Sequence, residues 1–270
     1  MKVLFWNTHK NEKINWLLSD IVIENNISVV VLAEYKASMN ELIEILEKQG
    51  RKMHEYITIG CERIKIIGSI NTVEPGRQSQ YVSMQIINNK DILCCLHLPS
   101  QIYSGNCQMR DIIIDQIVAD IRATEIELNT ENTMVVGDFN INPYDTSCIG
   151  AQFFHSLPVF AETERKSRVV AQREFYMFYN PMWNFLGDFT RPYGTFYYGG
   201  SNSINTYWNL FDQVIIRPAL RDRFIDDSLK ILTETQSKCL LNNKGHPDKT
   251  ISDHLPIMFE IREDYYGEKA

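Results

Sequence analysis

Short, almost continuously apolar runs are the feature of this sequence that most restricts its fold. They read "ISVVVLAE" at residues 27–34, "ILCCLHL" at 92–98 and "TMVVGDFN" at 133–140, and they are rich in β-branched residues. Runs of this kind are typical of strands that are covered on both faces. A sheet is covered on both faces when helices or a second sheet pack against it. The sequence therefore predicts an α/β protein rather than an open antiparallel sheet.

Amphipathic stretches between these runs predict the covering helices. Apolar residues recur at helical spacing in residues 12–26, 38–50 and 109–128, with Ser38 as a candidate N-cap and Gly50 as a stop signal. Further strands are predicted at residues 2–7, 64–70, 81–87, 211–217 and 255–261. Strands separated sometimes by helices and sometimes by turns predict two packed mixed sheets with helices outside.

No repeat, low-complexity tract or linker divides the chain, so residues 1–270 are predicted to form a single domain. Residues 174–211 differ from the remainder because they hold nearly half of the aromatic residues together with several Gly, Pro and Asn. They are predicted to form a long, partly irregular insertion whose rings either pack on the sheets or line a surface. Nearby basic residues that could contact phosphates are Lys166, Arg168, Arg173 and Arg191.

Composition narrows the class of protein. The formal net charge is −7, which lowers the expectation of tight, non-specific duplex DNA binding through a broad basic surface. No apolar run approaches the roughly 20 residues that span a bilayer, and no signal peptide is visible. The six cysteines are scattered without a CxxC pair, and the adjacent Cys94 and Cys95 are interpreted as reduced core residues of a strand. A cytoplasmic location is the simplest prediction.

Several apolar runs end in, or are preceded by, residues that bind cations or move protons. These residues are Asn7, Glu34, His97, Asp138, Asn140, Asp212, Asp253 and His254. Each one alone is more often a turn residue, a helix cap or a satisfied histidine. Brought to one rim of a sheet, however, they would form a pocket rich in oxygen ligands, which suits Mg²⁺ or Mn²⁺. Zinc is not expected, because no cluster of cysteines or several histidines is present.

The order of the motifs resembles the endonuclease/exonuclease/phosphatase superfamily over nearly the entire chain. The motifs are "FWN" (5–7), "LAEYK" (32–36), "GDFN" (137–140), "GTF" (194–196), "LFDQVII" (210–216) and "SDHLPI" (252–257). "GDFN" and "SDHLP" are the most specific pieces. Two departures exist: Ala33 replaces the glutamine that is common in the family, and His9 stands where abasic-site endonucleases commonly carry an acidic residue.

The resemblance implies a DNase I-like fold, a four-layered α/β sandwich, and hydrolysis of a phosphoester by an activated water. Glu34 is the most plausible direct Mg²⁺ ligand, with Asn7 beside it and Asp253 at a second or migrating metal position. Such a cation would neutralise charge on the phosphate and on the leaving oxygen.

The remaining groups are assigned to water and phosphate. Asp138 would orient or deprotonate the attacking water, and Asn140 would donate to a phosphate oxygen. Asp212 would fix the tautomer of His254, which would act on the scissile phosphate as a hydrogen-bond donor or as a general base. His97 is predicted to bind phosphate or the leaving group, and the side chains of Lys36 and Trp208 are predicted to contact substrate.

Three functions remain open from the sequence. The leading hypothesis is a Mg²⁺-dependent nuclease that hydrolyses DNA or RNA, with aromatic residues of the insertion stacking on unpaired bases. The alternative is a phosphatase or phosphodiesterase for a small molecule or lipid headgroup, which the acidic net charge favours. The third is a binding module with a degenerate site. It is disfavoured because none of the central catalytic residues is missing.

Overall fold

Two large β-sheets form the centre of the molecule. The computed structural model describes residues 1–100, 107–202 and 205–263. The first sheet has six strands in the order β16-β17-β1-β2-β4-β3. The strands are β1 (Lys2–Asn7), β2 (Val29–Ala33), β3 (His54–Glu55), β4 (Ile64–Gly68), β16 (Lys230–Ile231) and β17 (Ile257–Glu260). β1 and β2 run parallel, whereas their outer neighbours β17 and β4 run antiparallel to them.

The second sheet has seven strands in the order β5-β6-β7-β8-β15-β12-β9. The strands are β5 (Val73–Ser79), β6 (Val82–Ile87), β7 (Asp91–His97), β8 (Thr133–Asp138), β9 (Ser156–Leu157), β12 (Phe178–Tyr179) and β15 (Asp212–Ile216). β7 is parallel to β8, and β15 is antiparallel to β8. Two small hairpins complete the strands, namely β10 (Ser167–Val170) with β11 (Arg173–Tyr176), and β13 (Phe196–Tyr197) with β14 (Trp208–Asn209).

The three predicted helices are present. They are α1 (Asn15–Asn25), α2 (Met39–Lys48) and α3 (Cys107–Glu127), followed by the short α4 (Thr146–Ile149) and α5 (Phe160–Thr163). The Ser38 hydroxyl accepts a hydrogen bond from the backbone N–H of Glu41 at 3.3 Å, which is the N-cap predicted for α2. Gly50, in a left-handed conformation, follows shortly after α2 ends. Short 3₁₀ turns lie at Pro181–Phe185, Pro218–Arg223 and Asp226–Ser228.

Alternation of side chains along the second sheet separates two hydrophobic cores. Alternate residues of β7, β8 and β15 share one cluster with the first sheet, α1 and α2: Leu93, Cys95, Met134, Val136, Val214 and Ile216. The residues between them pack with α3 in another cluster: Cys94, Leu96, Val135 and Ile215. Because side chains on a strand alternate between faces, the layers are helices, sheet, sheet and helix. The predicted four-layered α/β sandwich, with two packed mixed sheets and helices outside, is therefore confirmed.

Strand β5 is the main element that the sequence pattern did not predict. It reads "VEPGRQS", and its Pro75 and Gly76 resemble a turn. The strand lies at the edge of the second sheet, and its pairing with β6 is irregular between Pro75 and Gln78. Proline is tolerated there because an edge strand need not donate every backbone N–H.

As predicted from the sequence, Cys94 and Cys95 are reduced core residues of a strand, β7. The structure adds that they face opposite cores. Burial raises the pKa of both thiols, so they stay protonated. Among the residues that the structure describes, no helix combines the length and apolar character needed to cross a membrane.

A buried ion pair ties α3 to the end of the second sheet that lies away from Asp138 and Asp212. Arg217, just after β15, donates from Nε to Oε1 of Glu125 at 2.7 Å, and both side chains are excluded from solvent. The Thr133 hydroxyl at the start of β8 donates to the same carboxylate at 2.8 Å. The Arg217 guanidinium also lies 3.8 Å above the Phe178 ring. Every strong donor of this charge pair therefore has a partner, which is the condition under which buried ion pairs are tolerated.

We predict that Glu125→Ala lowers the free energy of unfolding by about 3–5 kcal/mol, because it leaves the Arg217 guanidinium buried without its counter-charge. Urea denaturation of the variant measures this loss. Glu127→Ala is the matched control, since Glu127 pairs with Arg77 on the exposed face of the same helix. Its effect should be far smaller, and equal losses in the two variants would contradict the anchoring role of the buried pair.

Candidate active site

Three strands of the second sheet place three candidate residues side by side. In the pairing register, His97 at the end of β7 lies opposite Asp138 at the end of β8, and Asp138 lies opposite Asp212 at the start of β15. Each is an even number of residues from inward-facing core positions of its own strand, so all three point towards the first sheet. The register and the two-residue period together concentrate these side chains at one end of the sandwich.

The first sheet contributes the facing residues at the same end. Asn7 ends β1 opposite Ala33 of the parallel β2, so that Glu34 follows in the next position. β17 runs antiparallel to β1 with Ile257 opposite Phe5, and the segment before β17, which contains His254, bonds to Trp6 and Asn7 at the end of β1. Side chains from both sheets therefore meet across the gap between them.

Asp138 is at the centre of the cluster. Asn7 Nδ2 donates to Asp138 Oδ2 at 3.0 Å, and the backbone N–H of Asn140 donates to Oδ1 at 2.9 Å. The same Oδ2 lies 3.6 Å from Nε2 of His97 and 3.9 Å from Nε2 of His254. The carboxylate is buried, so two hydrogen-bond donors and two imidazoles replace the water that it lacks.

His254 and Asp212 form a buried pair. Nδ1 of His254 lies 2.8 Å from Oδ2 of Asp212, which directs Nε2 towards Asp138. The backbone N–H of Asp212 donates to the hydroxyl of Thr195 at 3.2 Å. The Phe196 ring packs on the imidazole with a centroid separation of 4.8 Å. The pair therefore has a fixed ring orientation in a dry environment.

The two histidines beside Asp138 differ in their tendency to hold a proton. Burial opposes the charged form of His254, but the Asp212 and Asp138 carboxylates outweigh burial and raise its pKa to about 10. For His97 burial prevails over the attraction of Asp138 and Glu34, and its pKa is lowered. Burial also raises the pKa of Asp212, against the opposing effect of the His254 imidazolium. One imidazole thus favours the cation and the other the neutral ring.

Residues without a predicted role hold the His254 loop in place. The Ser252 hydroxyl donates to the Asn7 carbonyl at 2.7 Å and accepts from the His254 backbone N–H at 3.1 Å. The indole N–H of Trp6 donates to the His254 carbonyl at 2.9 Å. Ser252 and Thr195 were visible in the "SDHLP" and "GTF" motifs, but their contacts depend on chain segments that are distant in sequence.

Glu34 is the most accessible carboxylate of the cluster, with 27% of its side chain exposed. One oxygen lies 3.8 Å from His97 Nε2 and the other 3.8 Å from Lys10 Nζ, both too long for hydrogen bonds. The carboxylate therefore keeps capacity to bind a cation. Separately, ligand atoms of Asp138, Asp212 and His254 lie within 4.8 Å of one another, and this buried group could also hold a metal ion.

The loop after β1 links the three residues that the sequence assigned to metal. The backbone N–H of His9 donates to Oδ1 of Asn7 at 3.1 Å, and Nδ1 of His9 lies 3.1 Å from Oδ1 of Asp253. Lys10 of the same loop approaches Glu34. His9 therefore contacts Asp253, a predicted metal ligand, from the loop that also carries Asn7 and Lys10.

The backbone at the cluster adopts left-handed conformations that side chains other than glycine rarely tolerate. Glu34 and Asn140 both have φ of 50°, and His9 and Lys10 have φ of 48° and 58°. Asparagine adopts this region readily because its short side chain can hydrogen-bond to the nearby backbone. Glutamate lacks this local bond, and a residue held in such a conformation costs about 1–3 kcal/mol. The surrounding fold holds Glu34 in this conformation, which fixes the direction of its side chain.

The close approach of β7 to β8 explains why a glycine, Gly137, precedes Asp138. A Cβ atom built on Gly137 would lie 2.0 Å from the carbonyl oxygen of Leu96 in β7. The close approach of β7 and β8 at this point sets the spacing between His97 and Asp138. A larger residue would have to separate the two strands where the cluster forms.

Asn140 lies at the edge of the cluster. One N–H of its side-chain amide donates to the Leu98 carbonyl at 2.9 Å, so a single amide N–H remains for another acceptor. Asn140 lines a cavity of about 380 Å³ together with Asn142, Tyr144, Thr206 and other residues. This cavity extends from the cluster towards the aromatic-rich insertion.

The remaining candidate residues lie outside the cluster. Lys36 borders a separate cavity with Tyr35, Glu55 and Lys65, and Trp208 lines an aromatic cavity beyond Asn140. Their contacts with substrate stay predictions.

The basic residues near the insertion divide between the two ends of the sandwich. Lys166, at the base of the β10–β11 hairpin, pairs with Glu131 at 2.8 Å before β8 begins, at the end opposite Asp138. The hairpin residues Arg168 and Arg173 follow it. Arg191 instead stacks on Tyr193, a wall residue of the aromatic cavity.

Comparison with known proteins identifies the fold. No protein-family model and no curated protein sequence matches this chain. The solved structures that superpose over 97% of it include the following three. They are a Neisseria 3′ phosphatase, NExo, bound to a product DNA hairpin (TM-score 0.57, 15% identity, 100% of that chain covered); the endonuclease domain of TRAS1, a telomere-specific non-LTR retrotransposon (0.54, 10%, 99%); and an AP endonuclease from Archaeoglobus fulgidus (0.54, 12%, 99%). The chain therefore has the DNase I-like fold that its ordered motifs predicted.

We predict that Asp212→Asn lowers the pKa of His254 in the metal-free protein, because it removes the nearest carboxylate while burial still opposes the imidazolium. NMR titration of the imidazole resonances in the presence of EDTA measures the change. Asp226→Asn is the control, since Asp226 pairs with Arg221 far along the chain from this loop. An unchanged His254 pKa in Asp212→Asn would contradict the assigned ion pair.

Proposed function

We propose that this protein is a Mg²⁺- or Mn²⁺-dependent phosphodiesterase that hydrolyses nucleic acid. The observation that carries the proposal is the convergence of strand ends from both sheets. Asn7, His97 and His254 surround Asp138 from separate strands, at 3.0–3.9 Å. Two imidazoles, a buried carboxylate and an amide facing one point can position a water molecule and a phosphate together.

The residues present suit a hydrated divalent cation. Glu34 offers a partly exposed carboxylate with spare coordination capacity, and Asn7 offers a side-chain oxygen on the neighbouring strand. We assign the metal to these two residues, with Asp253 at an additional position. This assignment is preferred over the Asp138–Asp212–His254 group because Asp212 is fully buried and already bonded to His254, whereas Mg²⁺ usually keeps several waters. When bound, the ion would stabilise negative charge on the phosphate oxygens.

Asp138 is proposed to accept the proton of the attacking water. Asn7 and the Asn140 backbone N–H fix its carboxylate, and Oδ2 lies between the two imidazoles. His254, held as a cation by Asp212, would donate from Nε2 to a non-bridging phosphate oxygen. The raised pKa of His254 supports the donor role over that of general base, a choice which the sequence left open.

His97 and Asn140 complete the proposed phosphate site. His97 favours the neutral ring, with Nε2 between Glu34 and Asp138, so it can donate one hydrogen bond to a phosphate or leaving oxygen. Asn140 retains one amide N–H for the same purpose. The arrangement supplies several donors around one anion, which is how phosphoryl transition states are stabilised.

The choice of nucleic acid rests on the neighbours and on the surface. The solved structures with this fold are described as a 3′ phosphatase with a DNA hairpin, an endonuclease domain and an AP endonuclease. The aromatic cavity next to Asn140 supports an extended substrate. The net charge of −7 favours the alternative, a small phosphate ester that needs only a local positive site.

Purified protein with Mg²⁺ should cleave at least one of plasmid, single-stranded DNA and RNA, and EDTA should abolish cleavage. Glu34→Gln and His254→Ala should each lower the rate by about 100-fold or more, because one removes the proposed metal ligand and the other a phosphate donor. Gel analysis of the products measures the rates.

Glu47→Gln and His54→Ala are matched controls, because both residues are exposed and lie outside the cluster. They should leave the rates unchanged. Phosphate release from nucleotides, cyclic dinucleotides or inositol phosphates, without nucleic-acid cleavage, would support the small-molecule alternative. Hydrolysis that survives in both site variants would refute the assigned site.

A further inference from the structure

Exposed aromatic rings are concentrated in one place on the surface. In residues 1–100, 107–202 and 205–263, the most exposed Phe, Trp and Tyr side chains are Trp16, Tyr144, Phe189 and Tyr207. Trp16 is on α1. Tyr144 and Tyr207 line the same cavity, and Phe189, which is fully exposed, directly follows another wall residue of that cavity, Asp188. Exposing large rings is unfavourable in water, so their concentration at one site indicates a binding surface.

The aromatic cavity has a volume of about 640 Å³. Its walls include Tyr144, Leu186, Tyr193, Thr206, Tyr207 and Trp208. The volume lies within the range of sites that hold a small organic molecule such as a nucleoside. Rings pack edge-to-face within the wall, with Tyr193 and Trp208 6.1 Å apart. The Tyr193 and Trp208 rings therefore support each other, while the Tyr144 and Tyr207 rings remain exposed to solvent.

The aromatic cavity adjoins the cavity that contains Asn140, at the edge of the candidate active site. Tyr144 and Thr206 line both this cavity and the one that contains Asn140, and their hydroxyls lie 3.0 Å apart. Trp208 of β14 pairs with Tyr197 of β13, adjacent to the Phe196 that packs on His254. The Asn140 cavity therefore lies between the cluster and the aromatic cavity, on the side towards which an extended substrate would leave the cluster.

The chemistry of the rim indicates what that molecule is. Arg191 lies over the Tyr193 ring at 4.3 Å and is exposed, so its guanidinium combines a flat stacking face with a positive charge. The aromatic faces suit a nucleotide base, and the neighbouring positive charge suits the phosphate that follows that base in a nucleic acid. Each stacked base contributes roughly 5- to 150-fold in affinity.

We infer that this cavity binds unpaired bases adjacent to the scissile phosphate, and that the substrate is therefore single-stranded nucleic acid. This inference rests on the proposed phosphodiesterase activity and specifies its substrate class. Bases paired within a duplex hide their faces in the stack, whereas a single strand can lay them on exposed rings. A net charge of −7 also suits a ligand held by stacking better than one held by counter-charges along two backbones.

Fluorescence polarisation with labelled oligonucleotides in EDTA tests the inference without any hydrolysis. The wild type should bind a short single strand more tightly than the blunt duplex of the same sequence. The double variant Phe189→Ala/Tyr207→Ala should weaken single-strand binding by at least about tenfold and duplex binding by much less. Trp16→Ala, which removes the exposed ring remote from the cavity, should bind like the wild type. Thermal melting of each variant verifies that it is folded.

The outcomes separate this inference from the proposed function. Unchanged single-strand affinity in a folded double variant, or a preference for duplex, would overturn the inference even if metal-dependent cleavage is observed. Ring-dependent binding of single strands without any cleavage would support the binding site while refuting the proposed catalysis. Absence of binding to either oligonucleotide, together with hydrolysis of a small phosphate ester, would also overturn it and assign the rings to a different ligand.

Discussion

The structure at the candidate site depends on the buried carboxylate of Asp138. An ionised carboxylate removed from water is unfavourable unless donors and positive charge replace the lost hydration. Asn7 supplies a donor from the first sheet, the Asn140 backbone supplies another, and the imidazoles of His97 and His254 approach from either side. One negative charge thus holds together segments from four parts of the chain, drawn from both sheets.

The sequence predicted the elements of the fold well, because continuous apolar runs and helical spacing are local signals. It missed β5, where Pro75 and Gly76 resemble a turn, because tolerance of proline depends on the strand lying at an edge. Strand order is also non-local: nothing near Asp138 in the sequence indicates that β15 and β7 lie on either side of β8. That order came from the resemblance to a known family and not from the residue pattern.

The candidate site was predictable where a polar residue lies at the end of a strand and also on the strand's inward face, which holds every second residue. His97, Asp138 and Asp212 each fall on the inward positions of their strands, a pattern that can be counted in the sequence once the core face is known. The placement of Lys36 and Trp208 could not be deduced in this way, because both lie in or beside loops whose path is set by tertiary contacts. The supporting bonds of Ser252 and Thr195 were hidden for the same reason.

Strand β8 has the buried Glu125–Arg217 pair at its first residue and Asp138 at its last. Five residue steps of about 3.3 Å separate these points by roughly 17 Å, beyond the range at which substitutions usually influence one another. One strand thereby joins two separate parts of the molecule, with a buried ion pair that anchors the scaffold at one extremity and the candidate site at the other. Substitutions around Asp138 can then change the candidate site while the anchorage preserves the scaffold.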